Sequence, residues 1–257
     1  MTRFRPCIDL HEGRVKQIVG SSLSADGSQP RTNFVSDRDA SWFAELYSND
    51  ALTGGHVIML GAGNESAAAS ALRSYPSGLQ IGGGINADNA EKWLEAGASH
   101  VIVTSYLFDG QGRFLEDRLR LLSERVGRFR LVVDLSCKRT ADGWTVAMNR
   151  WQTVTNLRVD EESIRHLSSY CDELLVHAVD VEGKCEGIDS ELVGCLSDWS
   201  PIPVTYAGGA RHLNDLQLID RISLGKVDVT VGSALDIFGG KGLLYSDCVS
   251  FNHRLES

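Results

Sequence analysis

Short, nearly continuous apolar runs alternate along this chain with stretches whose apolar residues recur every third or fourth position. The runs, rich in β-branched residues, predict eight strands, near residues 4–9, 56–60, 79–81, 100–104, 129–134, 174–178, 204–206 and 228–231. Between them, Leu115, Leu119, Leu122 and Val126 trace one face of a helix that Gly127 ends. Ala90, Trp93 and Leu94 trace another, with Asn86 as its N-cap and Gly97 as its stop. Ile164, Leu167 and Cys171 trace a third behind Asp160, Glu161 and Glu162, whose charges suit a helix N-terminus. Regular strand-then-helix alternation predicts a parallel sheet covered by helices, and eight such units predict closure into a barrel.

The chain also repeats itself. IGGGINADN (81–89) aligns with YAGGARHLND (206–215), placing Gly83 on Gly208 at an offset of 125 residues. VIVTSYLF (101–108) aligns with VTVGSALDIF (229–238) through Ser105 and Ser233. Two strands predicted to end on an acid, at Asp9 in PCIDL and Asp134 in VVDLSC, stand the same 125 residues apart. The expected architecture is therefore α/β: one (β/α)8 TIM-barrel domain over residues 1–257, with twofold pseudo-symmetry between half-barrels of roughly 1–127 and 128–257. Two polar, glycine-bearing connections, 20–31 and 138–151, occupy matching places after the first and fifth strands. They are long for their kind and read as irregular lids over one mouth.

Composition narrows the function. With 25 Lys and Arg against 34 Asp and Glu the net charge is −9, which disfavours nucleic acid as a partner, so any phosphate must be gripped locally. No apolar run is long enough to span a membrane, and MTRFRPCIDL enters a strand at once, so the expectation is a cytoplasmic protein without membrane association. The six cysteines show no CxxC pair and no zinc-like spacing with histidines, which leaves them as reduced thiols and predicts no metal site.

Parallel closure puts the C-terminal ends of all eight strands on one rim, where the active sites of such barrels lie. Asp9 and Asp134 would then face each other across the mouth. Two such carboxylates form a general acid and base pair if their surroundings separate their affinities for a proton. They could instead be acids that cap the following turns. Gly83 and Gly84 fall beside Thr104 and Ser105, and Gly208 and Gly209 beside Gly232 and Ser233. Converging N–H groups and hydroxyls of this kind cradle phosphate, although each glycine pair alone could be only a tight turn. Two copies imply a small ligand with a phosphate at each end.

Taken together, PCIDLHEGRVKQIVG, LQIGGGI, HVIVTS, VVDLSC, HAVDVEG, TYAGGA and DVTVGSALDIFGG resemble the phosphoribosylformimino-aminoimidazole carboxamide ribotide isomerases of histidine biosynthesis, in their eukaryotic and above all fungal form, over nearly the whole chain. The resemblance implies a metal-independent barrel with no cofactor that converts a bisphosphorylated aminoaldose to the aminoketose by an Amadori rearrangement. It implies Asp9 as the base that takes the C2′ proton and Asp134 as the acid that protonates the ring oxygen. It also implies substrate contacts from Asp180 and from Trp151, whose indole would stack on the imidazole-carboxamide; Trp151 could equally be a packing aromatic, and Trp144 could stack in its place. A monomer acting on a small molecule is expected. Two departures from bacterial members stand out. Strand six ends in Val179, Asp180 and Val181 where they carry Thr-Asp-Ile, and strand two ends in IMLGAGN where they carry acids. Two alternatives remain: the related cyclase of the same pathway, which uses ammonia from a glutaminase and expects a lysine soon after strand one, where Lys16 lies, and a barrel that only binds phosphometabolites. DLSC and VAMNRWQ favour the isomerase.

Overall fold

Every one of the eight apolar runs becomes a strand in the computed structural model, which describes residues 1–18, 32–148, 151–181 and 187–253. In chain order the strands are β1 (Phe4–Arg5), β2 (Cys7–His11), β3 (Arg14–Ile18), β4 (Thr32–Val35), β5 (Gly55–Met59), β6 (Leu79–Gly82), β7 (Val101–Val103), β8 (Leu131–Thr140), β9 (Gly143–Met148), β10 (Thr153–Val159), β11 (Glu173–Ala178), β12 (Val204–Ala207) and β13 (Val227–Thr230). The helices are α1 (Ala40–Asn49), α2 (Glu65–Ser74), α3 (Ala90–Glu95), α4 (Glu116–Val126), α5 (Glu161–Leu167), α6 (Ser190–Trp199), α7 (Leu213–Ser223) and α8 (Tyr245–His253).

Pro6, which has no N–H for a ladder, divides the first barrel strand into β1 and β2. β1 pairs with β13 and β2 with β5, and parallel pairing continues through β6, β7, β8, β11 and β12 back to β13. The sheet is thus a closed ring of eight parallel strands with one helix after each, a single-domain TIM barrel.

Alternate residues of each strand face opposite ways. Val101, Val103, Leu131, Val133, Leu174 and Val176 join the large core under the helices, whereas Ile102, Val132 and Leu175, with Ile58, form a separate cluster inside the ring. On the N-terminal side of that plug the interior is polar and paired. Glu173 accepts from Gln80 Nε2 at 2.7 Å and from Thr205 Oγ1 at 2.6 Å, and Arg5 donates through Nε to Asp228 at 2.7 Å. The apolar plug is small, so each member matters: Leu175→Ala is expected to lower unfolding free energy by about 3 kcal/mol. A denaturant midpoint shifted down at unchanged slope would show it; a loss below about 1 kcal/mol would mean that the ring interior is not tightly packed.

The strands bearing the two acids do not end on them. β2 runs on to His11, turns through Glu12 and Gly13, both at positive φ (54° and 73°), and returns antiparallel as β3, which pairs in turn with β4. β8 runs on to Thr140 and returns as β9, followed by β10. Residues 138–148, expected to be an irregular lid, are therefore a regular hairpin rising from the rim. The other expected lid, up to residue 31, lies outside the described residues. Helix ends differ slightly: Asn86 takes the N–H groups of Asp88 and Asn89 on its side chain in a turn ahead of α3. Cys171 lies beyond the end of α5 yet is buried, with its thiol on the Leu167 carbonyl.

Candidate active site

The C-terminal rim gathers the predicted residues because parallel pairing leaves them nowhere else to go. Asp9 points into the ring from β2, and its Oδ2 accepts from Gln17 Nε2 at 3.1 Å. Gln17 arrives on β3, so the hairpin after the first strand exists in part to deliver it. It fills the space beside Gly232, where a Cβ would meet Gln17 Oε1 at 2.4 Å. Asp134, on β8, is held from both sides: Thr104 Oγ1 after β7 donates to Oδ2 at 2.9 Å, and His177 Nδ1 on β11 lies 3.0 Å from Oδ1.

Asp9 and His177 line one cavity together with Gly208, Gly209, Gly232 and Ser233. The second glycine pair, the Asp9 carboxylate and the imidazole hydrogen-bonded to Asp134 thus share one space. The first cradle opens separately, into a cavity of about 430 Å³ lined by Gly83 and Gly84 with Met59, Asn89 and Lys92. The two cradles share their backbone: φ is 95° and 69° at Gly83 and Gly84, and 123° and 74° at Gly208 and Gly209. Glycine is required at Gly83 and Gly209, since a Cβ there would lie 2.1 Å from the Met59 carbonyl oxygen and 2.0 Å from that of Gly187.

Other predicted residues sit differently. Thr104 turns its hydroxyl to Asp134 rather than to the first cradle, and Ser105, exposed at the start of a short 3₁₀ turn, is not in that cradle's wall. Asp180 accepts the Arg139 N–H at 2.7 Å and so holds the β8–β9 hairpin near its tip, where Arg139 pairs with Trp144. Trp151 is half-buried in a left-handed conformation (φ 67°) at the turn into β10. Trp144 is not free to stack on a ligand: its Nε1 donates to Asp189 at 3.0 Å, the Arg139 guanidinium lies 4.6 Å above its ring, and Trp199 packs against it edge-on.

The sequence reading missed Gln17, Lys92, His56 and Thr230. Thr230 lines the second cavity with a buried hydroxyl that has no hydrogen-bond partner among the described residues. His56, in the same wall, is fully buried, and desolvation, reinforced by nearby His177, lowers its pKa to about 3. The folded protein keeps it neutral while the unfolded chain titrates it near 6.5, so stability is full above that value and is lost as pH falls towards 3. Between pH 7 and pH 5 the loss from this group is about 2 kcal/mol. Urea unfolding of the wild type and of His56→Gln across that range should show the steeper decline in the wild type; equal slopes would mean that the native imidazole charges freely.

Among the described residues, no group of three or more His, Cys, Asp and Glu side chains is placed to hold a metal ion, and no helix is long and apolar enough to cross a membrane. A cavity of about 410 Å³ at the opposite, N-terminal end of the ring is lined by Arg3, Arg5, Lys226 and Asp228 and holds none of the rim residues.

An eight-stranded parallel ring thus carries, on one rim, a carboxylate from its first and fifth strands and a left-handed glycine pair in each half. The chain belongs to the histidine biosynthesis protein family, which it matches over residues 3–241. Within it, a Neurospora crassa relative is 56% identical over 257 residues, covering 99% of this chain and 100% of the relative. One from Saccharomyces cerevisiae is 50% identical over 260 residues, covering 99% of each. Both are named 1-(5-phosphoribosyl)-5-((5-phosphoribosylamino)methylideneamino) imidazole-4-carboxamide isomerase. A Medicago truncatula relative of the same name, described as chloroplastic, is 53% identical over 258 residues, covering 98% of this chain and 82% of the relative.

Proposed function

We infer that this chain is the aldose–ketose isomerase of histidine biosynthesis, acting on the bisphosphorylated aminoaldose for which its relatives are named. The observation that carries the assignment of residues is the pair Asp9 and Asp134, set on the first and fifth strands of one rim, each with side-chain donors on its oxygens.

Asp134 acts as the acid. Its proton goes to the ribose ring oxygen, the C1′–O bond breaks, and the nitrogen lone pair on C1′ forms an iminium. The iminium makes the C2′ proton acidic, and Asp9 takes it as base, leaving an enaminol. Returning that proton to C1′, while the C2′ hydroxyl gives its own to Asp134, yields the aminoketose and restores both carboxyls. The opened sugar is held by its ends. One phosphate sits at Gly83 and Gly84, and the other at Gly208, Gly209, Gly232 and Ser233; left-handed glycines at both let the backbone N–H groups approach closely. Lys92 adds a positive charge at the first cradle; among the described residues lining the second there is no Lys or Arg. Trp151 supplies the indole face for the imidazole-carboxamide, since Trp144 is occupied. Asp180 reaches the substrate through the hairpin that it anchors.

Purified protein given the aminoaldose in ammonia-free buffer is expected to convert it fully to the aminoketose. No conversion of the aminoaldose would favour the alternatives: turnover of the aminoketose with added ammonia would mark the cyclase, and turnover of neither compound the silent barrel.

A further inference from the structure

Asp134 is clamped from both neighbouring strands of the ring. β8 lies between β7 and β11, and each neighbour sends one side chain to one carboxyl oxygen: Thr104 to Oδ2 at 2.9 Å and His177 to Oδ1 at 3.0 Å. Each carboxyl oxygen has two lone pairs, so the clamp occupies one on each and fixes the plane of the group. The imidazole stands beside the small Ala207, its register partner on β12, and faces the same cavity as Asp9. It therefore touches the mouth and the acid at once.

We propose that His177 is a positioning residue for Asp134. Its Nδ1–H keeps Oδ1 an acceptor, so that the transferable proton of Asp134 resides on Oδ2, the oxygen that also accepts from Thr104. A protonated Oδ1 would point its proton at the imidazole instead of the sugar, and the acid would be idle. His177 thus selects the productive one of two protonation states of the same carboxyl. The proposal rests on Asp134 being the acid, and the test separates the two.

Steady-state kinetics of His177→Leu, His177→Asn, His177→Gln, Asp134→Asn and the double variant Asp134→Asn/His177→Leu decide it. His177→Leu is expected to lower kcat by about a hundredfold while KM stays within about threefold, because the phosphates carry the binding. His177→Asn should regain at least about tenfold of that loss, since its amide N–H reaches the place of Nδ1. His177→Gln, whose amide reaches the place of Nε2, should not; this pair carries the test should the leucine variant fail to fold. On the Asp134→Asn background, His177→Leu should cost less than about threefold more, as expected of a residue that acts only through Asp134.

A His177→Leu enzyme with near-normal kcat, a loss carried by KM, equal activity of the Asn and Gln variants, or an undiminished loss on the Asp134→Asn background would each overturn the role given to His177 alone. Near-normal turnover in Asp134→Asn would instead overturn the acid assignment, and this proposal with it.

Discussion

Replacing Asp9 by Asn is expected to lower kcat by about a thousandfold with KM changed by less than about threefold, and Asp134→Asn is expected to do the same. The size follows from the step lost. A positioned general acid or base contributes about 10² to 10⁴ in rate, and an amide can neither take the C2′ proton nor give one to the ring oxygen. The near-constant KM follows from where the substrate is held. Asparagine is nearly the same size as aspartate and can still accept the hydrogen bond from Gln17 at position 9, or from Thr104 at position 134, so the proposed phosphate sites are undisturbed. Steady-state kinetics on the aminoaldose measures both constants, and a kcat within tenfold of wild type in either variant would remove that residue from the chemistry. The same experiment distinguishes the catalytic reading from two acids that merely cap turns, since those would change stability and leave turnover intact.

The second large effect is on binding. Gly84→Asp is expected to raise KM by about a hundredfold with little change in kcat, because it would place a carboxylate at the proposed position of the first phosphate, beside Lys92. This glycine suits the test better than its neighbour. At Gly84 φ is 69° and a Cβ would meet nothing within 4 Å, and Asp and Asn tolerate the left-handed region better than most residues. At Gly83 a Cβ would strike the Met59 carbonyl, so any substitution there confounds binding with folding. Gly84→Asn serves as the neutral control: similar in shape, it should raise KM by less than about tenfold. If the Asp and Asn variants raised KM equally, the effect would be steric and the first cradle would not hold an anion.

Both experiments probe features that were readable as pattern before any fold was known. The apolar runs marked the eight barrel strands because a strand buried on both faces has to be apolar nearly throughout. The repeat marked the cradles because the left-handed backbone at Gly83, Gly84, Gly208 and Gly209 leaves little choice of residue. Local constraint of this kind leaves a local trace.

What the pattern concealed was everything that depends on which strand lies beside which. Asp9 and Asp134 looked like strand ends, yet both chains stay extended and only change partner, from parallel neighbours in the ring to an antiparallel return strand. Nothing in LHEGRVKQ announces that exchange of partner, and so Gln17, two turns of logic away from Asp9 in sequence, went unseen as its hydrogen-bond donor. Thr104 looked like a phosphate ligand from its place beside Ser105; the ring puts it next to β8, and Asp134 takes its hydroxyl. The contacts of Trp144 with Asp189, Arg139 and Trp199, two of them from elements distant in sequence, were likewise not legible. Lys92 sat unremarked among exposed residues of α3, because only the assembled ring shows that this helix borders the first cradle.

The proposed mechanism requires a single sugar to reach both carboxyls while its two phosphates occupy the two halves of the ring. A crystal structure of Asp134→Asn with the aminoaldose bound would test that most directly. The expected result is one phosphate against Gly83 and Gly84, the other against Gly208, Gly209 and Ser233, with C2′ beside the Asp9 carboxylate and the ring oxygen beside residue 134. Both phosphates in one half, or a sugar that touches only one of the two positions, would contradict it.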